Sequence, residues 1–231
     1  MSPLVAFRWT GAGLFLPVLF GIACLFAAAD LIRIGYPTGD LANASYALSV
    51  AAPVAAGFTA ARFHWFPGWI ALARPARSGL RAVGAGYGPL VLGSPCAVCL
   101  AVVVTARTAP SDGPSWAIVG VDFATVLAAC LSGLVLASAL PVVMAVPVAL
   151  LGWFWWLAYV PGMTSPLLHN MTSTFSACCD SSSRPAWHAV GAASVVTGTI
   201  CLGVAALLSA SHWSQRPVPV AGSVHFNRGQ P

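Results

Sequence analysis

The sequence predicts an all-α membrane protein with six transmembrane helices, both termini in the cytoplasm and a long external segment between helices five and six. Three observations carry this. Of 231 residues, 58% are hydrophobic and 6% charged, and the mean hydropathy is +0.85, far from the composition of a water-soluble domain. From Ser115 to Val160 the only charge is Asp122, a run too long and too apolar for a soluble fold to cover. Charges, proline or glycine clusters and polar runs cut the apolar sequence into pieces near the roughly 20 residues that cross a hydrocarbon core.

The first span is expected from about Gly11 to Ile32. Its apolar stretch is too long for a signal peptide, and Asp30 and Arg33 follow it in place of a cleavage site. The second runs from about Tyr46 to Ala61 and the third from about Ala82 to Ala106. The long apolar run must hold two helices, about Trp116 to Ala139 and Val142 to Tyr159, folded back at Ser138-Ala-Leu-Pro141, where proline cannot continue the hydrogen-bond ladder. The sixth span covers about His188 to Ser211. Pro53, Pro89, Pro95 and Pro147 fall inside these spans and should kink or unwind them. Residues 1–214 thus form the transmembrane domain, and the Pro/Gly-rich residues 215–231 a flexible cytoplasmic tail.

Orientation follows from the basic residues. All ten are Arg. With the N-terminus inside, Arg8, Arg62, Arg74, Arg77, Arg81, Arg216 and Arg228 are cytoplasmic, and Arg33, Arg107 and Arg184 external. All five Asp then lie at or near the external side. Asp30 and Asp122 fall close to the external ends of their helices, where water and headgroups reach them, and Asp30 can pair with Arg33 on one helix face. This leaves almost no intramembrane charge and argues against proton-coupled transport.

Lys and Glu are absent, which excludes a phosphate-loop lysine, a Schiff base, a Ser-Lys pair and a HExxH zinc helix. No catalytic residue, metal site or cofactor of the chain's own is expected, and no nucleic-acid partner. An Arg-only vocabulary rich in Ala, Val and Gly resembles that of a GC-rich bacterial genome, so the expected location is the bacterial inner membrane.

Two loops stand out. Residues 62–81 are basic and aromatic, with Arg62, Trp65, Trp69, Arg74, Arg77 and Arg81 facing the cytoplasm. One reading is a positive-inside loop with interfacial tryptophans; the other is a docking element for a partner, for which the loop is long enough. Residues 161–187 are external and polar, and in or beside them lie His169, Cys178, Cys179, Asp180 and His188. Adjacent Cys178 and Cys179 suit a disulfide to another chain, a metal site with neighbouring His and Asp, or free thiols; the spacing fits no compact zinc motif.

Six helices with both ends inside, a basic loop after helix 2, almost no turn after helix 4 and an elaborated external segment after helix 5 resemble an ABC-2-type permease. That resemblance implies the membrane subunit of an ATP-driven exporter. ATP and Mg would then sit on separate ATP-binding cassette subunits, and a second permease subunit, the same or a sister chain, would complete the pore. It also implies that Arg62, Trp65, Trp69, Arg74, Arg77 and Arg81 form the ATPase-coupling interface. Residues 1–10 are too short for the interfacial helix that usually precedes the first span of that family, a feature that suits a third reading, a non-transporting subunit of a larger complex.

The alternative is an enzyme. Cys96-Ala-Val-Cys99 is a CxxC, the pattern of membrane thiol-quinone oxidoreductases that make disulfides, but it falls midway along helix 3, away from any aqueous partner. Cys24, Cys130 and Cys201 read as packing residues. Trp153, Trp155, Trp156 and Tyr159 read as an aromatic belt.

Overall fold

The structure, a computed structural model, describes residues 12–28, 37–64, 77–108, 116–159, 194 and 196–203. All of these residues but Leu140, Pro141 and Tyr159 are helical. We label the elements α1 (Ala12–Ala28), α2 (Pro37–His64), α3 (Arg77–Thr108), α4 (Trp116–Ala139) and α5 (Val142–Ala158); residues 196–203 form a further helical segment. Among the described residues, two helices are long and apolar enough to cross a membrane, through Tyr87–Arg107 of α3 and Val119–Ala137 of α4. The apolar parts of α1, α2 and α5 are shorter, Gly13–Ala28, Ala44–Ala60 and Val142–Ala158.

The fold-back between α4 and α5 lies where proline chemistry puts it. The last turn of α4 closes with the Leu140 N–H donating to the Leu136 carbonyl at 2.8 Å. Pro141 caps α5 in an extended conformation, φ −56° and ψ 140°, and its carbonyl accepts from the N–H groups of Met144 and Ala145 at 2.8 and 2.9 Å. The other prolines do not unwind their helices. Pro17, Pro53, Pro89, Pro95 and Pro147 all sit inside continuous helix, each leaving the carbonyl four residues earlier without its usual donor.

α2 and α3 differ most from expectation. α2 has 28 residues and begins at Pro37, a favoured first helical position, and α3 has 32 and begins at Arg77. Helix therefore continues past the apolar windows at both ends of the 62–81 loop, whose residues 65–76 lie outside the described residues.

α2 is the hub, in contact with α1, α3, α4 and α5. Phe15 at the start of α1 stacks on Phe58 near the end of α2, ring centroids 6.3 Å apart, so those helices are antiparallel. Two contacts set the direction of α5 against α2: Val146 lies against Gly57, and Phe154 meets Tyr46 edge-on with centroids 6.5 Å apart. They too are antiparallel. Pro53 packs on Gly133 of α4 and Ser45 faces Asp122, which makes α2 and α4 parallel. α1 and α5 thus run opposite to α2 and α4.

Most side chains in the middle are small. Ala44, Ala52, Ala55, Ala56 and Ala60 of α2 are buried against Ala23, Ala97, Ala101 and Ala145 of its neighbours, with Leu19, Leu48, Leu90 and Val98 filling the larger gaps. Many large apolar side chains nevertheless point out: Leu92 is 68% exposed, Val143 85% and Leu151 63%, with Leu14, Leu25 and Phe154 also exposed.

Of the expected aromatic belt, Trp155 and Tyr159 are exposed, but Trp153 is used inside the protein. Its indole N–H donates to Ser132 Oγ of α4 at 2.7 Å, while the Ser132 hydroxyl donates to the Ala129 carbonyl. Cys130 is buried in the core, as a packing residue should be. Cys201 of the 196–203 segment directs its thiol to the Ala124 carbonyl at 3.9 Å and so ties that segment to α4.

Candidate functional site: a buried acid between α2 and α4

Asp122 is not where the sequence put it. Far from meeting water or headgroups, it is 1% exposed, in the second turn of α4 and turned toward α2. Depth along a helix can be read from sequence, but the direction a residue faces is set by packing.

Across from it stands Ser45, with Ser49 one turn further along the same face of α2, and both are buried. The Ser45 hydroxyl faces the Asp122 carboxyl, yet neither Ser45 Oγ nor Asp122 Oδ2 completes a hydrogen bond of good geometry, and Ser49 Oγ has no partner. Two buried threonines of the same helices are satisfied locally. Thr59 donates to the Ala55 carbonyl and Thr125 to the Val121 carbonyl, each at 2.8 Å, the usual way a helix absorbs such a group. Ser94 of α3 faces Cys130, and its Oγ too lacks a partner of good geometry.

Among the described residues no basic side chain faces Asp122. A buried carboxyl with an unmatched oxygen, and two unmatched hydroxyls on the helix it faces, are costly to hold in an apolar bundle, and an ionisable residue in such a place marks a functional site by default. The signal in the sequence is Ser45-x-x-x-Ser49, two hydroxyls at helical spacing on one face, but nothing in a single sequence links them to position 122.

The residues singled out from the sequence fall elsewhere. Arg62 lies in the last turn of α2, and Arg77 and Arg81 lie in the opening turns of α3. Trp65, Trp69 and Arg74 are outside the described residues, as are His169, Cys178, Cys179, Asp180 and His188. Cys96 and Cys99 are free thiols, three residues apart on α3 and both exposed. Buried Ala97, Val98 and Ala101 form the opposite, inward face. Among the described residues no three His, Cys or Asp side chains converge as metal ligands would.

Comparison with protein-family models, with characterised proteins and with solved structures finds no match.

Proposed function

We propose that this chain is a multi-pass protein of the bacterial inner membrane and, within that class, the permease subunit of an ATP-driven exporter. The observation that carries the membrane reading is how much large apolar surface faces outward around an alanine-rich middle. Alanine is the commonest buried residue, with Ser and Thr hydroxyls and a smaller number of Leu and Val beside it, while Leu, Val, Phe and Trp cover the outside. In water this arrangement exposes apolar area for no gain; in lipid, where outward leucines meet their own kind, small residues at helix contacts allow close approach and better packing.

The permease reading is supported by the overhang of α3. Residues 77–81 precede the apolar stretch that starts at Ala82 and add about 7 Å of helix at 1.5 Å per residue. With the end of α2 they flank residues 65–76, which on this reading meet a partner outside the bilayer. Arg62, Arg77 and Arg81 then lie on the two flanking helix ends, Trp65 and Trp69 fill an apolar cleft of the ATPase, and Arg74 meets its acidic rim.

Replacing Trp65 and Trp69 together by Ala should weaken ATPase association or uncouple hydrolysis from transport while insertion stays normal. A complex that keeps full ATPase binding and cargo-stimulated hydrolysis without either tryptophan would reduce the segment to a membrane anchor. The exposure of both Cys96 and Cys99 favours one other reading. A lipid-dissolved quinone could meet them, taking two electrons and two protons as they join in a disulfide. The double Cys-to-Ser variant in the same experiment separates the two, because a permease loses little and an oxidoreductase loses all quinone reduction.

A further inference from the structure

The charge balance of the α2–α4 contact limits what can fill it. Asp122 brings one formal negative charge, which an apolar bundle holds only with a counter-charge. The elements packed on α4 supply none among the described residues. On α2, Tyr46 turns to Phe154 of α5. α3 carries Tyr87, half-buried, Cys96 and Cys99 on its outer face, and Arg107 exposed at its end. Tyr159 is exposed just past α5, Cys201 directs its thiol to the Ala124 carbonyl, and Cys130 of α4 faces Ser94.

Oxygen, by contrast, is in supply. Besides Asp122 Oδ2, the hydroxyls Ser45 Oγ and Ser49 Oγ are unmatched. An all-oxygen set suits a proton or a hard cation rather than a soft metal. One carboxylate balances one positive charge, so a divalent ion would leave net charge in a medium of low dielectric.

We propose that Asp122, Ser45 and Ser49 form a binding site for one monovalent cation, a proton or a sodium ion, between the third and fourth turns of α2 and the second turn of α4. Occupied, the site neutralises the carboxylate and holds the two helices together; emptied, the carboxylate needs water and the contact loosens. An ATP-driven permease has no need of such an ion, so the site stands apart from the permease reading and adds cation sensitivity to the hub of the bundle.

The test uses the full-length chain in lipid nanodiscs. Thermal unfolding is followed along a pH series at fixed sodium, and along a sodium series at fixed pH with choline holding the ionic strength. Tm should rise saturably with one of the two cations, and which one identifies the ion. Asp122→Asn, equal in shape and neutral, should abolish that rise. Ser45→Ala should move the half-saturation point about tenfold, toward higher sodium concentration if sodium is the ion and toward lower proton concentration if a proton is, because the Ser45 hydroxyl supports the ionised carboxylate. A Tm indifferent to both cations, or a rise that survives in Asp122→Asn, overturns the proposal. If Asp122→Asn does not fold, Ser45→Ala and Ser49→Ala read the same midpoint, and an unmoved midpoint in both overturns it equally. No ATPase is needed, so this result and the tryptophan result can fail independently.

Discussion

Adding one methyl group at Gly133 should disrupt the bundle, whereas the same change at Gly120 or Gly152 should be tolerated. At Gly133 the backbones of α4 and α2 touch. A Cβ there would collide with the Pro53 carbonyl oxygen and lie 2.6 Å from the Pro53 Cα and 2.8 Å from its carbonyl carbon. These are main-chain atoms in the middle of a helix, with no rotamer to turn away, and α2 is the helix on which α1, α3, α4 and α5 all pack. Gly133→Ala is therefore expected to cost about 1–3 kcal/mol through overpacking, and Gly133→Leu to prevent α2 and α4 from closing. At Gly120 and Gly152 a Cβ would meet nothing within 4 Å, so alanine should be neutral or gain up to about 1 kcal/mol of helix propensity. Denaturant unfolding in micelles, with size-exclusion profiles for the leucine variant, measures the difference; equal effects at Gly133 and Gly120 would mean that α2 and α4 do not touch there.

The second large effect is expected on the outside. Leu151 lies at the middle of α5 and is 63% exposed, in a stripe with Val143, Met144, Val148 and Trp155. If lipid covers this stripe, Leu151→Arg should cost about 3 kcal/mol of insertion free energy, the scale for a charge at the centre of a spanning helix. Tyr159→Arg, at the exposed end of the same helix, should be nearly silent because the charge reaches the interface. If water covers it, both changes are ordinary surface substitutions, within about 0.5 kcal/mol. Partition of the chain between membrane and soluble fractions, with a glycosylation reporter beyond α5, distinguishes the cases.

What could be read from the sequence was what depends on neighbours along the chain. The bounds of α4 and the start of α5 followed from one proline and an unbroken apolar run, since proline's missing N–H and fixed φ act locally. The long first half of α2 did not follow. Thr38, Asp40 and Asn43 are polar, and a helix that leaves the apolar window no longer shows in hydropathy, although Pro37 gave a start signal. The site was less legible still. Asp122 and Ser45 come from helices 77 positions apart, and their meeting depends on the turn of α4 about its axis, fixed by the close contact of Gly133 with Pro53. Arg62 and Trp65 stood out in the sequence because charge and aromatic clustering are visible in one dimension; burial is not.

The central claim is that the chain crosses a membrane repeatedly, with residues 62–81 on the cytoplasmic side and residues 161–187 outside. Fusions of a two-sided topology reporter after Trp65 and after Ser182 test it most directly. The account predicts a cytoplasmic signal from the first and an external signal from the second, because seven of the ten arginines gather on one side under a six-span threading. Signals from the same side for both fusions would contradict it.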